Sequence, residues 1–251
     1  MADARVGMSS GLRQVAIVTV ALALCPLAAV VSTRDPAVPM ARARALVDLE
    51  RSLGLFFEPA LHAWLQQHAW LLAAAGVFYV WVHVPALIGI FVWAWLAHRP
   101  RFTLLRDWFL ATQALVVAGY LLVPTAPPRL LGGFGFRDTL SQLWGTSGAS
   151  LAHTVQSPYA AMPSGHVAFA IIVAAGLWMT TERPLLRLVA LSYPVLVVLV
   201  VVATANHFWL DAAGGALACG AGFAMAGALR WAPQPLRARV PVRVSAASNA
   251  G

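Results

Sequence analysis

Six runs of apolar residues, each close to the length of a membrane-crossing helix, constrain this chain more than any other feature. They are Val15–Val31, Trp70–Leu96, Trp108–Val123, Ser164–Met179, Leu185–Ala203 and Trp209–Leu229. A helical crossing takes about 20 apolar residues, with roughly 17–25 tolerated. Composition agrees: 60% of the residues are hydrophobic, 10% are charged, and the mean hydropathy is +0.75. Water-soluble domains carry roughly 25% charged residues, and disordered chains are polar, so both classes are excluded. The sequence predicts an all-α polytopic membrane protein, a six-transmembrane-helix bundle forming one membrane-embedded domain over residues 1–232. A basic tail over 233–251 is expected to be disordered.

The third and fourth runs are short, so their ends are expected to reach into the Pro-rich loop between them. Pro85 inside the long second run predicts a tilt or kink. The first run has two readings, a retained helix or a secretory signal with Arg13 before it and small residues near Ala28–Ser32. In either case Ser32 emerges on the outer side. With the N-terminus inside, most arginines fall in inner segments: Arg5, Arg13, Arg99, Arg101, Arg106, Arg183, Arg187, Arg230, Arg237, Arg239 and Arg243. Arg34, Arg42, Arg44, Arg51, Arg129 and Arg137 fall outside, four of them among Asp35, Asp48, Glu50 and Glu58. The bias predicts cytoplasmic N- and C-termini. The net charge of +8 comes from arginines between apolar runs, which sets membrane orientation and excludes nucleic acid as a partner. Cys25 and Cys219 each sit inside an apolar run, without metal spacing or a disulfide framework.

Two regions do not span. Residues 40–68 carry a helical stripe of Leu46, Leu49, Leu53, Phe57, Leu61 and Trp64/Leu65, broken by Gly54 and Pro59. That reads as amphipathic helix on the outer membrane surface or as helix packed over the bundle; neither reading assigns chemistry to it. The loop Pro124–Pro163, about 40 residues rich in Gly, Pro and Ser, is long enough to be functional.

Parity then puts three stretches on the outer face: Pro124-Thr125-Ala126-Pro127-Pro128-Arg129, Pro163-Ser164-Gly165-His166 and Asn206-His207-Phe208-Trp209-Leu210-Asp211. His207 and Asp211, at i and i+4, share a helix face. A carboxylate there accepts from one imidazole nitrogen and leaves the other as nucleophile or base; alternatively the pair merely caps the helix. Ser164 and Gly165 stand at a helix start, whose N–H groups bind anions, and glycine admits close backbone approach. His166 would stand beside that anion, placed to protonate a leaving oxygen, or be an incidental interfacial histidine. Arg129 offers a guanidinium fork suited to phosphate, or snorkels at the interface. Together these groups match phosphoryl transfer: one imidazole attacks, the carboxylate orients it, the second imidazole is the acid, and Arg129 neutralises equatorial charge. No cluster of acidic residues suggests a metal, so no cofactor or metal is expected.

Pro163-Ser164-Gly165-His166 followed by His207-x-x-x-Asp211 resembles the type 2 phosphatidic acid phosphatase superfamily, whose active-site plan is similar to that of vanadium haloperoxidases. The Pro-Pro-Arg after the third run, the Ala160-Ala161-Met162-Pro163 lead-in and Asn206-His207-Phe208-Trp209-Leu210-Asp211 look most like the branch that includes fungal inositol phosphorylceramide synthase. The likeness covers roughly Leu46 to Trp231. It implies six membrane helices, His207 as a nucleophile that becomes phosphohistidine, Asp211 as its orienting partner, His166 as general acid and later base, and Ser164 and Gly165 as phosphate contacts. It also implies a lipid phosphate or lipid diphosphate substrate and water or an alcohol as acceptor. Two family features are missing: a Lys seven residues before Arg-Pro, and an Arg six residues before the nucleophilic histidine, where Val201 stands. Both departures fit the inositol-transferase branch better and leave Arg129 as the obvious phosphate-binding arginine, with Arg137 a candidate helper.

The expectation is therefore a membrane lipid phosphatase or phosphotransferase, with its site open to the outer face. A phosphoinositol-type transferase is the near alternative, and a non-catalytic lipid-binding or transport protein of the same fold the distant one. The Ala-rich, Lys-free composition suggests a GC-rich bacterial genome, hence a bacterial plasma membrane. Tyr79 and His83, one turn apart in the second run, either line a headgroup cavity or hydrogen-bond within the bundle. Trp70, Trp108 and Trp209 read as interfacial anchors, and Gly214, Gly215, Gly220 and Gly222 as close helix packing.

Overall fold

The computed structural model describes residues 2–32, 35–145 and 158–231. Loop residues 146–157, Arg34 and the tail over 233–251 lie outside the described residues. The described chain is helical: α1 (Ala2–Ser32), α2 (Ala37–Ser52), α3 (Glu58–Gln66), α4 (Ala69–Val77), a π turn (Phe78–Val82), α5 (His83–Ala97), α6 (Arg99–Leu122), α7 (139–145), α8 (Gly165–Thr180), α9 (Pro184–Ala203) and α10 (Trp209–Trp231). α4, the π turn and α5 run on as one apolar helix over Ala69–Ala97.

By length and composition, Ala69–Ala97, Pro184–Ala203 and Trp209–Arg230 can each cross a membrane. Arg13–Cys25 and Gly165–Thr180 are shorter apolar helices. These helices, with the composition, mark a membrane protein. α6 differs from the expectation: it does not run on into the Pro-rich loop but extends the other way, starting at Arg99 and ending at Leu122. Its first turns carry Arg99, Arg101, Arg106 and Asp107, which hydropathy reads as loop. α8 likewise starts at Gly165, held there by Ser164 as N-cap. The expected irregularity at Pro85 is the π turn, which ends three residues before it. Proline clashes with the carbonyl four residues earlier, and a wider turn just upstream absorbs that conflict.

The core forms where α5, α6, α8 and α10 meet, around Phe91, Leu105, Phe109 and Ile172. α10 packs most extensively on α6, and α8 on α9. Glycines set two of these approaches. A Cβ at Gly222 would collide with the backbone of Thr112, and one at Gly215 with the carbonyl of Ser164. A Cβ at Gly214 would make only ordinary contact with Met162 and Pro163, and Gly220 faces open space. Trp70 and Trp209 are accessible as expected of anchors. Trp108 is not: the extra turns of α6 place it mid-helix, buried, with its indole N–H donating to the Cys219 carbonyl at 2.8 Å.

α2 and α3 combine the two readings of their segment, with an unexpected face inward. The chain breaks between them at Gly54, whose φ of 67° suits glycine. The faces turned to the bundle carry Ala43, Val47, Glu50, Glu58, His62 and Leu65. Leu49, Leu53, Phe57 and Trp64 face out, an apolar surface suited to a membrane interface. α2 is pinned to the bundle by two backbone carbonyls: Pro39 O accepts from Ala126 N–H, and Leu122 O accepts from Arg42 Nη1 at 3.2 Å.

Candidate active site

Backbone hydrogen bonds draw the three polar stretches together at one end of the bundle. Thr125 N–H donates to Tyr159 O (2.9 Å), and Ala161 N–H donates to Thr125 O (3.1 Å), forming a short parallel bridge. Arg129 N–H donates to Ala205 O and Ser164 N–H to Asp211 O, both at 2.9 Å. Ala205 takes a left-handed φ of 57°, the tight turn that lets the chain leave α9 and return into α10. A buried polar backbone must find partners, and here the partners are the other two stretches.

His207 is buried, and its Nδ1 lies 2.9 Å from the Ala161 carbonyl. A carbonyl accepts only, so Nδ1 carries the proton and Nε2 keeps its lone pair. The carboxylate of Asp211 lies behind, its Oδ2 3.6 Å from the same Nδ1 and accepting from Phe208 N–H at 2.8 Å. The carbonyl thus holds the tautomer directly, while Asp211 supplies negative charge at ion-pair range and fixes the first turn of α10. The His166 and His207 ring centroids are 5.6 Å apart, and Tyr79 stacks on His166 at 4.6 Å.

Arg129 reaches the site from a 3-10 turn at Pro128–Leu130, and its Nη1 donates to Asn206 Oδ1 at 2.7 Å. Burial pulls the guanidinium pKa below its ordinary value, so an anion beside it would restore lost solvation. Asn206 is in turn held by donating to Thr204 Oγ1 at 2.8 Å. Sequence reasoning gave Asn206 no role; its buried amide aims the arginine.

A cavity of about 410 Å³ joins these groups. Arg129, Gly165, His166, Asn206 and His207 all line it, as do Tyr79, His83 and Tyr120. Ser164 and Asp211 do not appear on its wall. The Ser164 hydroxyl accepts from Val167 N–H at 3.4 Å as the N-cap of α8, a positioning place behind the cavity. Gly165 does line it, and also has a packing reason: a Cβ there would lie 3.0 Å from the Tyr120 hydroxyl. Arg137 is exposed and absent from the wall; its backbone N–H donates to His62 Nε2 at 3.1 Å. His62 completes that tie through Nδ1, 2.8 Å from Ala203 O, and burial holds its pKa below the usual imidazole value.

Sequence reasoning also missed Glu50 and Glu58, both fully buried. Glu58 Oε1 accepts from Trp209 N–H (3.2 Å) and Glu50 Oε1 from Leu210 N–H (3.3 Å), so α2 and α3 cap the helix that follows His207. Burial, then the neighbouring Glu58, pushes the Glu50 carboxyl up to about 9. Held protonated in this way, Glu50 can donate to the neighbouring Glu58. Two glutamates eight residues apart on an amphipathic segment read as solvated charge, so nothing in the sequence marked them.

Set against known proteins, this arrangement of paired imidazoles, arginine and apolar helices falls in the class of membrane phosphatases and phosphotransferases. The sequence model of the PAP2 superfamily matches residues 44–225, and the chain belongs to that superfamily. That match runs from within α2 to within α10, includes the site residues just described, and supports action on lipid phosphates. No curated protein and no solved structure matches the chain.

Proposed function

We propose that this protein is a multi-pass membrane enzyme that cleaves a lipid phosphoester or diphosphate through a phosphohistidine on His207. The observation that carries the reading is the His207 tautomer, with Nδ1–H tied to Ala161 O and the lone pair of Nε2 left for the cavity that His166 and Arg129 share. In the first step Nε2 attacks phosphorus, the P–O bond to the lipid breaks, and the proton of His166 goes to the leaving oxygen, releasing an alcohol. Arg129 stabilises the equatorial oxygens. In the second step water or an alcohol attacks phosphorus, gives its proton to His166, and returns the P–N electron pair to Nε2. Asp211 steadies the imidazolium charge that develops, and the reaction uses side-chain cations alone. We take the chain to cross a bacterial plasma membrane six times, with both termini cytoplasmic, as the arginine bias suggests. The site then opens to the extracytoplasmic face.

Brief exposure of the purified protein to a radiolabelled lipid phosphate, followed by alkaline quench, is expected to trap label on the protein, and His207→Ala to trap none. Label retained by His207→Ala would overturn the assignment. Vanadate, a mimic of pentavalent phosphorus, is expected to inhibit. A second reading, transfer of a substituted phosphate such as phosphoinositol to an alcohol, draws support from the room in the cavity beyond the imidazoles. Phosphate release that ignores added inositol or lipid alcohol would exclude transfer. A non-catalytic lipid carrier of this fold would trap no label in any form.

A further inference from the structure

A third imidazole lines the cavity and has no part in the chemistry above. His83 is 3% exposed and sits just past the π turn. Its ring centroid is 5.1 Å from that of His166. Its Nδ1 is 3.1 Å from the Tyr193 hydroxyl of α9, whereas its Nε2 is buried without a hydrogen-bond partner among the described residues. A buried unpaired ring nitrogen is costly, and on a cavity wall a ligand can recover that loss.

Phosphoryl transfer fixes which part of a ligand comes here. Attacking and leaving groups lie roughly in line through phosphorus, so the leaving oxygen points away from His207 and toward its proton donor, His166. The carbons attached to that oxygen then extend past His166, whose ring centroid lies 5.1 Å from that of His83 on the same cavity wall. Around His83 the wall is apolar, with Leu22, Val84, Leu87 and Phe169. A lipid alcohol there meets mostly hydrocarbon, and the Nε2 of His83 is a hydrogen-bonding atom left without a partner among the described residues. Tyr193 can donate to Nδ1 or accept from it, leaving Nε2 as donor or acceptor accordingly; a hydroxyl satisfies both states, a carbonyl or an ammonium only one.

We propose that His83 is a specificity residue that binds a free hydroxyl on the lipid alcohol, close to the phosphoester. The preferred lipid phosphates are then hydroxyl-bearing ones, over fully acylated or plain hydrocarbon ones. The inference rests on the phosphoryl-transfer reading for the direction of the leaving group.

The test compares oleoyl-lysophosphatidate, which has a free hydroxyl beside the phosphoester carbon, with its deoxy analogue, oleoyl-propanediol phosphate. Binding of each to the detergent-solubilised full chain is measured by calorimetry. The wild type is expected to bind the hydroxylated lipid about tenfold more tightly. His83→Phe keeps ring volume without a nitrogen, and the ratio is expected to fall to about one; His83→Gln is expected to keep part of it. Equal wild-type binding overturns the proposal, whether or not the variant folds, and so does a preference that survives in a folded His83→Phe. Phosphate release from the same lipids is read separately. A binding preference without release leaves His83 standing and defeats the enzymatic reading; release without preference does the reverse.

Discussion

The two ends of the helix bundle use charge in opposite ways. At the end away from the site, Asp107 of α6 pairs with Arg106 at 2.6 Å and with Arg230 of α10 at 2.8 Å, and each side chain keeps about a quarter to a third of its surface in contact with solvent. Nearby, Arg187 pairs with Glu182, which is almost wholly exposed. At the site end, Glu50, Glu58, His207 and Asp211 are at most 4% exposed and turn to backbone N–H and C=O groups. Solvated pairs contribute little, whereas buried ionisable groups are costly unless fully partnered. The contrast teaches where the fold has placed its constraints: one end tolerates charge, and the other is organised by it.

If that contrast is right, substitutions at the site end act through chemistry or through the start of α10. The largest effect is expected at His207. His207→Ala is expected to lower the rate of phosphate release at least about a thousandfold, since loss of a nucleophile removes the covalent route. A thermal melt close to that of the wild type would show that the fold survives. Residual activity within tenfold of wild type would put the nucleophile elsewhere.

Asn206→Ala probes the aim of Arg129. Loss of a hydrogen bond to a charged group costs about 1.5–3 kcal/mol, so kcat/KM for a lipid phosphate is expected to fall about ten- to a hundredfold. Arg129→Lys is expected to behave similarly, because an ammonium cannot reproduce the fork. An Asn206→Ala enzyme as fast as wild type would show that the guanidinium needs no such brace.

The carboxyl pair above α10 makes a pH prediction. With Glu50 raised from 4.5 to about 9, the folded state favours the protonated form. Its contribution is complete below about pH 4.5 and is lost progressively as pH rises to about 9. Glu50→Gln retains an acceptor for Leu210 N–H and a donor for Glu58, so it is expected to keep activity and to flatten the decline in melting temperature between pH 7 and pH 9. Glu50→Ala leaves the Leu210 N–H without its acceptor and Glu58 without its neighbouring carboxyl, and is expected to destabilise by about 1–3 kcal/mol. An unchanged slope in Glu50→Gln would show that the proton resides elsewhere.

Much of this was legible in the sequence, and the remainder was hidden for physical reasons. Hydropathy located the apolar helices because lipid-facing and core-facing residues are both apolar. It misplaced the start of α6 because Arg99, Arg101, Arg106 and Asp107 can be helical and solvated together. The three polar stretches were found by parity, and the structure does bring His166, His207 and Arg129 to one cavity. Asn206 stood inside a quoted motif, but its bond to Arg129 spans 77 positions and leaves no periodic signal. Glu50 and Glu58 were hidden by a reversal: the large residues of the amphipathic stripe, Leu49, Leu53, Phe57 and Trp64, face out, and the glutamates face in. A hydrophobic stripe predicts the buried face only when water lies on the other side.

The smallest effect is expected at the opposite end and completes the contrast. Asp107→Asn removes the charge that Arg106 and Arg230 share, yet all three side chains retain solvent contact. Coulomb attraction there is screened, and ordering long side chains offsets part of the gain. The substitution is expected to change stability by less than about 1 kcal/mol, with any loss shrinking further as salt is raised. Phosphate release is expected to match the wild type, because the pair lies at the end of α6 and α10 remote from Arg129 and His207. A loss of activity without a loss of stability would mean that the two ends are coupled through α10, and the division of labour between them would have to be abandoned.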